Sequence, residues 1–306
     1  MAVTEHNRRE QHIAAVTELA AAAGAAAPAE VLVREYFRQV DAGDLAERSP
    51  GDLLGILQSH HRLAAQRQPG TPRVRVFNPA PAEDGWGSRH SVVQVVNDDM
   101  PFLVDSVSLE LARQGLALHL VVHPIFAVRR DAGGVLQEVL PRAQAPQLPR
   151  ESWITLEVDR TVDAQQREDL CRAIERVLAD VRAAVTDWKP MLARLRAVAG
   201  ELAPAPGVDA AEAAESRAFL EWLADDHFTL LGYRAHDLRE QGGELLLEPV
   251  PGTGLGLLHE RADTASASFA AVPPAARAQA RSSSPLLVVT KANTRATVHR
   301  DGYTDY

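Results

Sequence analysis

Apolar positions recur at helical spacing through the first part of the chain. Ile13, Val16, Leu19 and Ala23 form one row, and Leu32, Tyr36 and Val40 repeat the pattern after Pro28. Ser49-Pro50-Gly51-Asp52 predicts the start of a third helix. A serine can cap the exposed amides, proline suits the first helical position, and an acid in the first turn complements them. That helix would present Leu53, Leu57, His61 and Ala64 on one stripe. Between Pro69 and Gly87 the chain carries four prolines (69, 72, 79 and 81) with Gly85 and Gly87, and only RVRVF reads as a short strand. This stretch is read as a connector.

The period then changes. Ser91–Val96 (SVVQVV) predicts a strand, and Pro101 opens a helix with Leu103, Val104, Val107 and Leu111 on its apolar side and Gly115 at its end. Leu116–Arg130 reads as one long strand with Leu118, Leu120, Val122, Phe126 and Val128 on one face. Asp131-Ala132-Gly133-Gly134 is a hairpin turn into VLQEVL. After a proline-rich loop, SWITLEVD alternates Ile154, Leu156 and Val158 inward against Trp153, Thr155 and Glu157 outward. A strong helix follows with Leu170, Ile174, Val177, Val181, Val185 and Trp188 spaced by threes and fours. The order β-α-β-β-β-α predicts an α+β sandwich with helices on one face of a mainly antiparallel sheet.

Beyond this unit, GELAPAPGVD (200–209) reads as a linker, and a helix over about 210–224 carries Phe219, Leu220 and Leu223. A hairpin turns at Gln241-Gly242-Gly243, a low-complexity Ala/Ser/Pro stretch covers 262–285, and LLVVTKANTRATVHR reads as a last strand. The expected division is therefore a helical segment (1–68), a connector (69–90), an α+β domain (91–199), a linker (200–209) and a second α+β unit (210–306). No closing element precedes Tyr306, so the chain is expected to be a piece of a longer one.

Composition narrows the function classes. With 32 Lys plus Arg against 41 Asp plus Glu over 306 residues, the formal charge of −9 argues against a nucleic-acid binder. The single cysteine, Cys171, excludes an internal disulfide and a cysteine-based zinc site. No apolar run approaches the ~18 residues of a membrane span and the start is too polar for a signal peptide, so the cytoplasm is expected. Only Lys189 and Lys291 are lysines, which with abundant alanine reads as a coding bias.

Chemistry-bearing clusters are few. Gly252-Thr253-Gly254-Leu255-Gly256 is glycine-rich but follows Pro249 and Pro251 and opens no clear helix, so a turn is the reading, not a dinucleotide cradle. His119 and His123 share a strand face by parity, without a third metal ligand. The segment Asn97, Asp98, Asp99, Met100, Pro101, Phe102, Leu103, Val104, Asp105, Ser106 places three carboxylates and an amide at a strand end and the first turns of a helix. Helix capping, a ligand contact, or acid–base chemistry by Asp98 and Asp99 are its possible uses. Lys291, Asn293, Arg295, Thr297 and His299 share a face by parity, as an anion site, an interdomain face or a solvated sheet face.

Several blocks together resemble a known family: NDDMPFLVDSVSLELARQGLALHLVVHPIFAVRRD, ESWITLEVDR, ADDHFTLLGYR, VPGTGLGLL and TKANTRATVHRDGYTDY. In collinear order over roughly 36–306, they look like the N-terminal region of the large bacterial NAD-specific glutamate dehydrogenases. The resemblance implies ACT-like modules, in agreement with the β-α-β-β-β-α order. It also implies a parent enzyme that oxidatively deaminates glutamate to 2-oxoglutarate and ammonia with NAD. The catalytic domain, a downstream part of the same polypeptide, would be this region's partner, in a homo-oligomer. No catalytic residue, cofactor site or metal site is carried over to this segment. ACT modules that bind effectors usually have glycine after the proline of the strand-to-helix loop, and here Phe102 follows Pro101, so packing or assembly is expected in place of amino-acid binding. The rival reading is a self-standing amino-acid sensor, which the gene beyond Tyr306 would distinguish.

Overall fold

In the computed structural model, the described residues are 2–23, 30–202, 209–241, 244–259, 286–287, 289, 291–295, 297–299 and 303–305. They form two compact units, 1–178 and 179–306. The linker expected at 200–209 falls mostly on 203–208 and the low-complexity stretch within 260–285, both outside the described residues.

The first unit opens with four helices, α1 (Ala2–Ala22), α2 (Glu30–Phe37), α3 (Ala42–Ala46) and α4 (Pro50–Ala64). The start of α4 follows the sequence closely: the Ser49 hydroxyl accepts the Asp52 amide at 3.1 Å and donates to the Asp52 carboxylate at 2.6 Å. The buried rows are shifted from the expected ones. Ile13, Val16 and Ala20 are buried in α1 while Leu19 is 43% exposed; in α4, His60 is buried and His61 is exposed.

The sheet contains β1 (Arg73–Phe77), β2 (Ser91–Asp98), β3 (Leu118–Val122), β4 (Ile125–Arg130), β5 (Leu136–Pro141) and β6 (Arg150–Val158). Its order is β1-β2-β6-β4-β5, with β3 beside the far half of β6, and every pairing is antiparallel. Three expectations change here. RVRVF is an edge strand of this sheet, paired to β2 from Arg73↔Val96 to Phe77↔Val92, and the short helix α5 (Pro81–Asp84) follows it. The single long strand over 116–130 is two strands separated at His123-Pro124. Proline offers no amide to a ladder.

The third change concerns layers. Trp153, Thr155 and Glu157 do not face solvent; both sides of β6 are buried from Glu151 to Val158. Trp153, Val92, Val96, Leu120, Val122, Phe126 and Val128 share one apolar cluster with Tyr36, Phe37, Leu53, Ile56 and Leu57. The N-terminal helices therefore cover one face of the sheet. The other face carries Val93, Val95, Ile154, Leu156 and Val158, all buried. Within this unit the apolar rows available to cover it are Leu103, Val107 and Leu111 of α6 (Leu103–Arg113) and Leu170, Ile174 and Val177 of α7 (Ala164–Glu201). The Cys171 thiol lies 3.7 Å from the Val74 carbonyl, which sets α7 beside β1.

The second unit holds the rest of α7, then α8 (Ala210–Trp222), capped by the Asp209 carboxylate on the Ala211 amide at 3.1 Å. The expected stripe of α8 is only partly inside: Leu220 is buried with Ala213 and Ser216, while Phe219 and Leu223 are half-buried. Trp188 of α7, expected on the apolar row, is 43% exposed, and Ala184 and Met191 are buried instead. Three two-stranded ribbons follow. They are β7 (Gly232–Tyr233) with β10 (Leu255–Gly256), β8 (His236–Gln241) with β9 (Glu244–Pro249), and β11 (Lys291–Arg295) with β12 (Tyr303–Asp305). No helix among the described residues is long and apolar enough to cross a membrane.

One polar contact bolts the helical layer to the sheet. His60 Nε2 lies 3.1 Å from the Val95 carbonyl, which only accepts, so Nε2 carries the proton. Nδ1 is then an acceptor, 2.8 Å from the Tyr36 hydroxyl and 2.9 Å from the Thr155 hydroxyl, themselves 2.8 Å apart. The neutral ring satisfies every group; a protonated one would be a buried charge without a counter-ion. Burial holds the His60 pKa at about 3, against its usual 6.5, and pushes Tyr36 well above its ordinary value. Since the folded pKa is depressed, the unfolded chain takes up the proton first as pH falls from 6.5 towards 3. This contribution to stability is complete above that window and is lost on acidification. Between about pH 6.5 and pH 5 the expected loss is about 2 kcal/mol. Urea unfolding of the parent and of His60→Gln at the two pH values will check this: the parent should lose more stability than the variant, and equal losses would disprove it.

Candidate functional site

The 97–106 loop joins β2 to α6, and its groups are largely tied to the fold. Asp98 accepts from Arg67 Nη2 at 2.6 Å and from the Gly70 amide at 2.9 Å. The Asp99 amide donates to the Arg150 carbonyl at 3.0 Å, and its carboxylate accepts the Ser152 hydroxyl at 2.7 Å. The buried Asn97 side chain donates to the Asp98 carbonyl at 3.1 Å. Ser106 is buried, and its amide donates to the Phe102 carbonyl at 3.0 Å. Pro101 and Asp105 are exposed, and Met100 and Phe102 are half-buried. Phe102 stands directly before α6 with φ +70°, ψ +2°. A left-handed conformation costs a side-chain-bearing residue of order 1–2 kcal/mol, and glycine little. The residue type is therefore set against its own backbone.

Asp98 belongs to a buried charge cluster centred on Glu151, which is 1% exposed. Arg67 donates to Glu151 Oε1 from Nε (3.0 Å) and Nη2 (2.6 Å), Arg130 donates to both oxygens (2.7 and 2.9 Å), and the Trp153 indole lies 3.3 Å from Oε2. Burial alone would raise the Glu151 pKa; the hydrogen bond from Arg130 and the charge of Arg67 outweigh it and hold the carboxyl below its usual range. Arg130 Nη1 also donates to the Gly134 carbonyl at 2.9 Å, and the Arg67 amide donates to the same carbonyl at 3.0 Å. Gly134 has φ +83°, and a Cβ there would sit 2.6 Å from the Arg67 carbonyl oxygen, so the hairpin can close on Arg67 only with glycine. Sequence reading missed this cluster. Two charges in a strand that alternates with apolar residues, Glu151 and Glu157, were the available signal.

Glu157 has a parallel arrangement: Arg48 donates to Oε2 from Nε at 3.0 Å, and the Ser88 hydroxyl donates to Oε1 at 3.1 Å. Nearby lies an open cavity of about 490 Å³ lined by Arg48, Ser49, Asp52, Ser88, His90 and Glu157. His90 stacks on His119 with centroids 4.0 Å apart and accepts Arg89 Nε at 3.0 Å. His119 in turn lies 2.7 Å from the Asp159 carboxylate. His123 is elsewhere, in the field of Asp99 and Asp105, and burial lowers its pKa. The two histidines that parity placed together thus have different partners. Among the described residues no three His, Cys, Asp or Glu side chains form a group able to hold a metal ion.

The remaining sequence-derived candidates are in the second unit. Lys291, Asn293 and Arg295 lie on β11, whose side chains are outside the described residues. The strand ends there: Thr297 and His299 fall in a bend, with the Thr297 hydroxyl on the Asp180 carboxylate at 2.9 Å and His299 at φ +74°, so strand parity does not carry to them. The glycine-rich 252–256 segment is a turn leading into β10. A Cβ at Gly254 would lie 2.2 Å from the Leu258 carbonyl oxygen, and one at Gly256 2.3 Å from that of Leu231. Its glycines admit the chain's own backbone, and among the described residues no helix follows directly to receive a pyrophosphate.

Removing one partner of a buried, hydrogen-bonded ion cluster leaves the others unpaired at a cost of roughly 3–5 kcal/mol. Arg67→Ala, which strips Glu151 and Asp98 together, is expected to lose that much in denaturant unfolding. Arg38→Ala, whose 63% exposed side chain pairs with Glu35 at 3.5 Å, should change stability by under about 1 kcal/mol. A similar loss for the two would contradict the geometry.

A family model described as "Glutamate dehydrogenase, ACT1 domain" matches residues 32–174. The chain is 40% identical over 236 residues to the NAD-specific glutamate dehydrogenase of Halomonas elongata, covering 76% of this chain and 15% of that protein. It is 38% identical over 229 residues to that of Pseudomonas aeruginosa (74% and 14%), and 33% identical over 204 residues to that of Mycobacterium tuberculosis (63% and 12%). The chain thus spans about 15% of the length of these relatives. It belongs to their family, as a region that carries a glutamate dehydrogenase ACT1 domain over residues 32–174.

Proposed function

We propose that the chain is a non-catalytic regulatory and assembly region of an NAD-specific glutamate dehydrogenase. The parent enzyme carries out the oxidative deamination of L-glutamate to 2-oxoglutarate and ammonia in the cytoplasm. NAD and the reacting substrate belong to a dehydrogenase domain further along the same polypeptide, in a homo-oligomer. The 97–106 loop and the Lys291–His299 segment are the surfaces through which this region meets its neighbours, with 200–209 as the linker from α7 to α8. The observation that carries the reading is the state of the loop. Asp98 and Asp99 accept hydrogen bonds from Arg67, Gly70 and Ser152, and Phe102 occupies the position where an effector's backbone-lined niche would need glycine. Carboxylates already engaged in this way are poor acid–base catalysts or ammonium ligands.

Two measurements on the 306-residue chain test this. Incubation with glutamate and NAD should produce no NADH. Calorimetric titration with glutamate, aspartate and other common amino acids should give no saturable heat at millimolar levels. NADH formation would overturn the non-catalytic assignment, and tight amino-acid binding would favour a self-standing sensor.

A further inference from the structure

We infer that the exposed aromatic column at the end of α8 is a docking site for a basic, arginine-bearing protein segment. The column lies in ADDHFTLLGYR, one of the family blocks, and neither the fold nor the proposed function uses it. Phe219 and Trp222, three apart on α8, stack with centroids 5.8 Å apart and planes 23° from parallel. One wide helical turn, Leu223–His227, brings the chain back so that His227 stacks on Trp222 at 4.6 Å and 21°. His227 Nδ1 donates to the Trp222 carbonyl at 3.0 Å, which locks the imidazole against the indole. Two of the three rings nevertheless reach solvent: Trp222 is 49% exposed and His227 is exposed, while Phe219 is half-buried.

Contiguous exposed aromatic surface marks interaction sites more often than isolated apolar residues do. The charges around it say what kind of partner fits. Glu221, Asp225 and Asp226 are exposed beside the rings, and among the described residues none of them has an ion-pair partner. The C-terminal end of α8 adds negative partial charge at the same place. A partner bringing apolar groups alone would bury these carboxylates unpaired. A partner bringing guanidinium groups meets them with paired, bidentate hydrogen bonds, which an ammonium group does not make.

The test uses the whole chain and capped tri-arginine amide as the probe, read by the indole N–H signals in an NMR titration. The Trp222 signal is assigned by its loss in Trp222→Phe, which keeps an aromatic ring. Saturable movement of that signal is expected, with binding about tenfold weaker for tri-lysine amide and for the Asp225→Asn/Asp226→Asn double variant. Asparagine tolerates the left-handed backbone of residue 226 (φ +58°), so the double variant keeps the turn. A Trp222 signal that does not move, equal binding of tri-lysine, or an unaltered double variant would each overturn the assignment.

Discussion

Glu151 sits on the inner face of the central strand, and two guanidinium groups from different parts of the chain converge on it. Arg67 comes from just beyond the helical segment, and Arg130 from the end of β4. Placing a carboxylate and two arginines in an apolar layer carries a large desolvation cost, so the cluster persists only with its hydrogen bonds complete. That requirement specifies geometry. It fixes where the chain leaves α4, how closely the 131–134 hairpin approaches, and where Asp98 stands at the head of the candidate loop.

The same constraint explains why the module is not a bare sandwich. An antiparallel sheet with one solvated face would expose Trp153, Thr155 and Glu157. Here that face is covered, and each polar residue on it has a dedicated partner: Thr155 with His60 and Tyr36, Glu157 with Arg48 and Ser88, Glu151 with Arg67 and Arg130. The helical segment is thus an integral layer of the domain, and the family match, beginning at residue 32, includes its α2–α4 part.

The 97–106 loop is held to the fold from both sides. The Arg67 cluster holds Asp98, Ser152 holds Asp99, and Phe102 adopts a conformation suited to glycine.

Much of this was legible along the chain. The cap at Ser49, the strand read over 91–96, the hairpin at 131–134 and the apolar row Leu170, Ile174, Val177 and Val181 of α7 follow from local propensity, turn chemistry and short-range periodicity, which need no distant partner. The charge arrangement of the loop, with Pro101 and Phe102 before a helix, was equally readable, because helix termini state their needs within a few residues. What folding added were the contacts between segments far apart in sequence. Alternation alone marked 153, 155 and 157 as outward, because a strand does not encode whether a second layer will cover it. The choice of His60 over His61 and the break at His123-Pro124 depended on where the sheet lies under α4 and on how β6 divides its edge between β3 and β4. So did the separation of His119 from His123. Periodicity reports a residue's face; the identity of its partner is a property of the folded chain, since it rests on desolvation and on hydrogen-bond geometry between residues up to 119 positions apart.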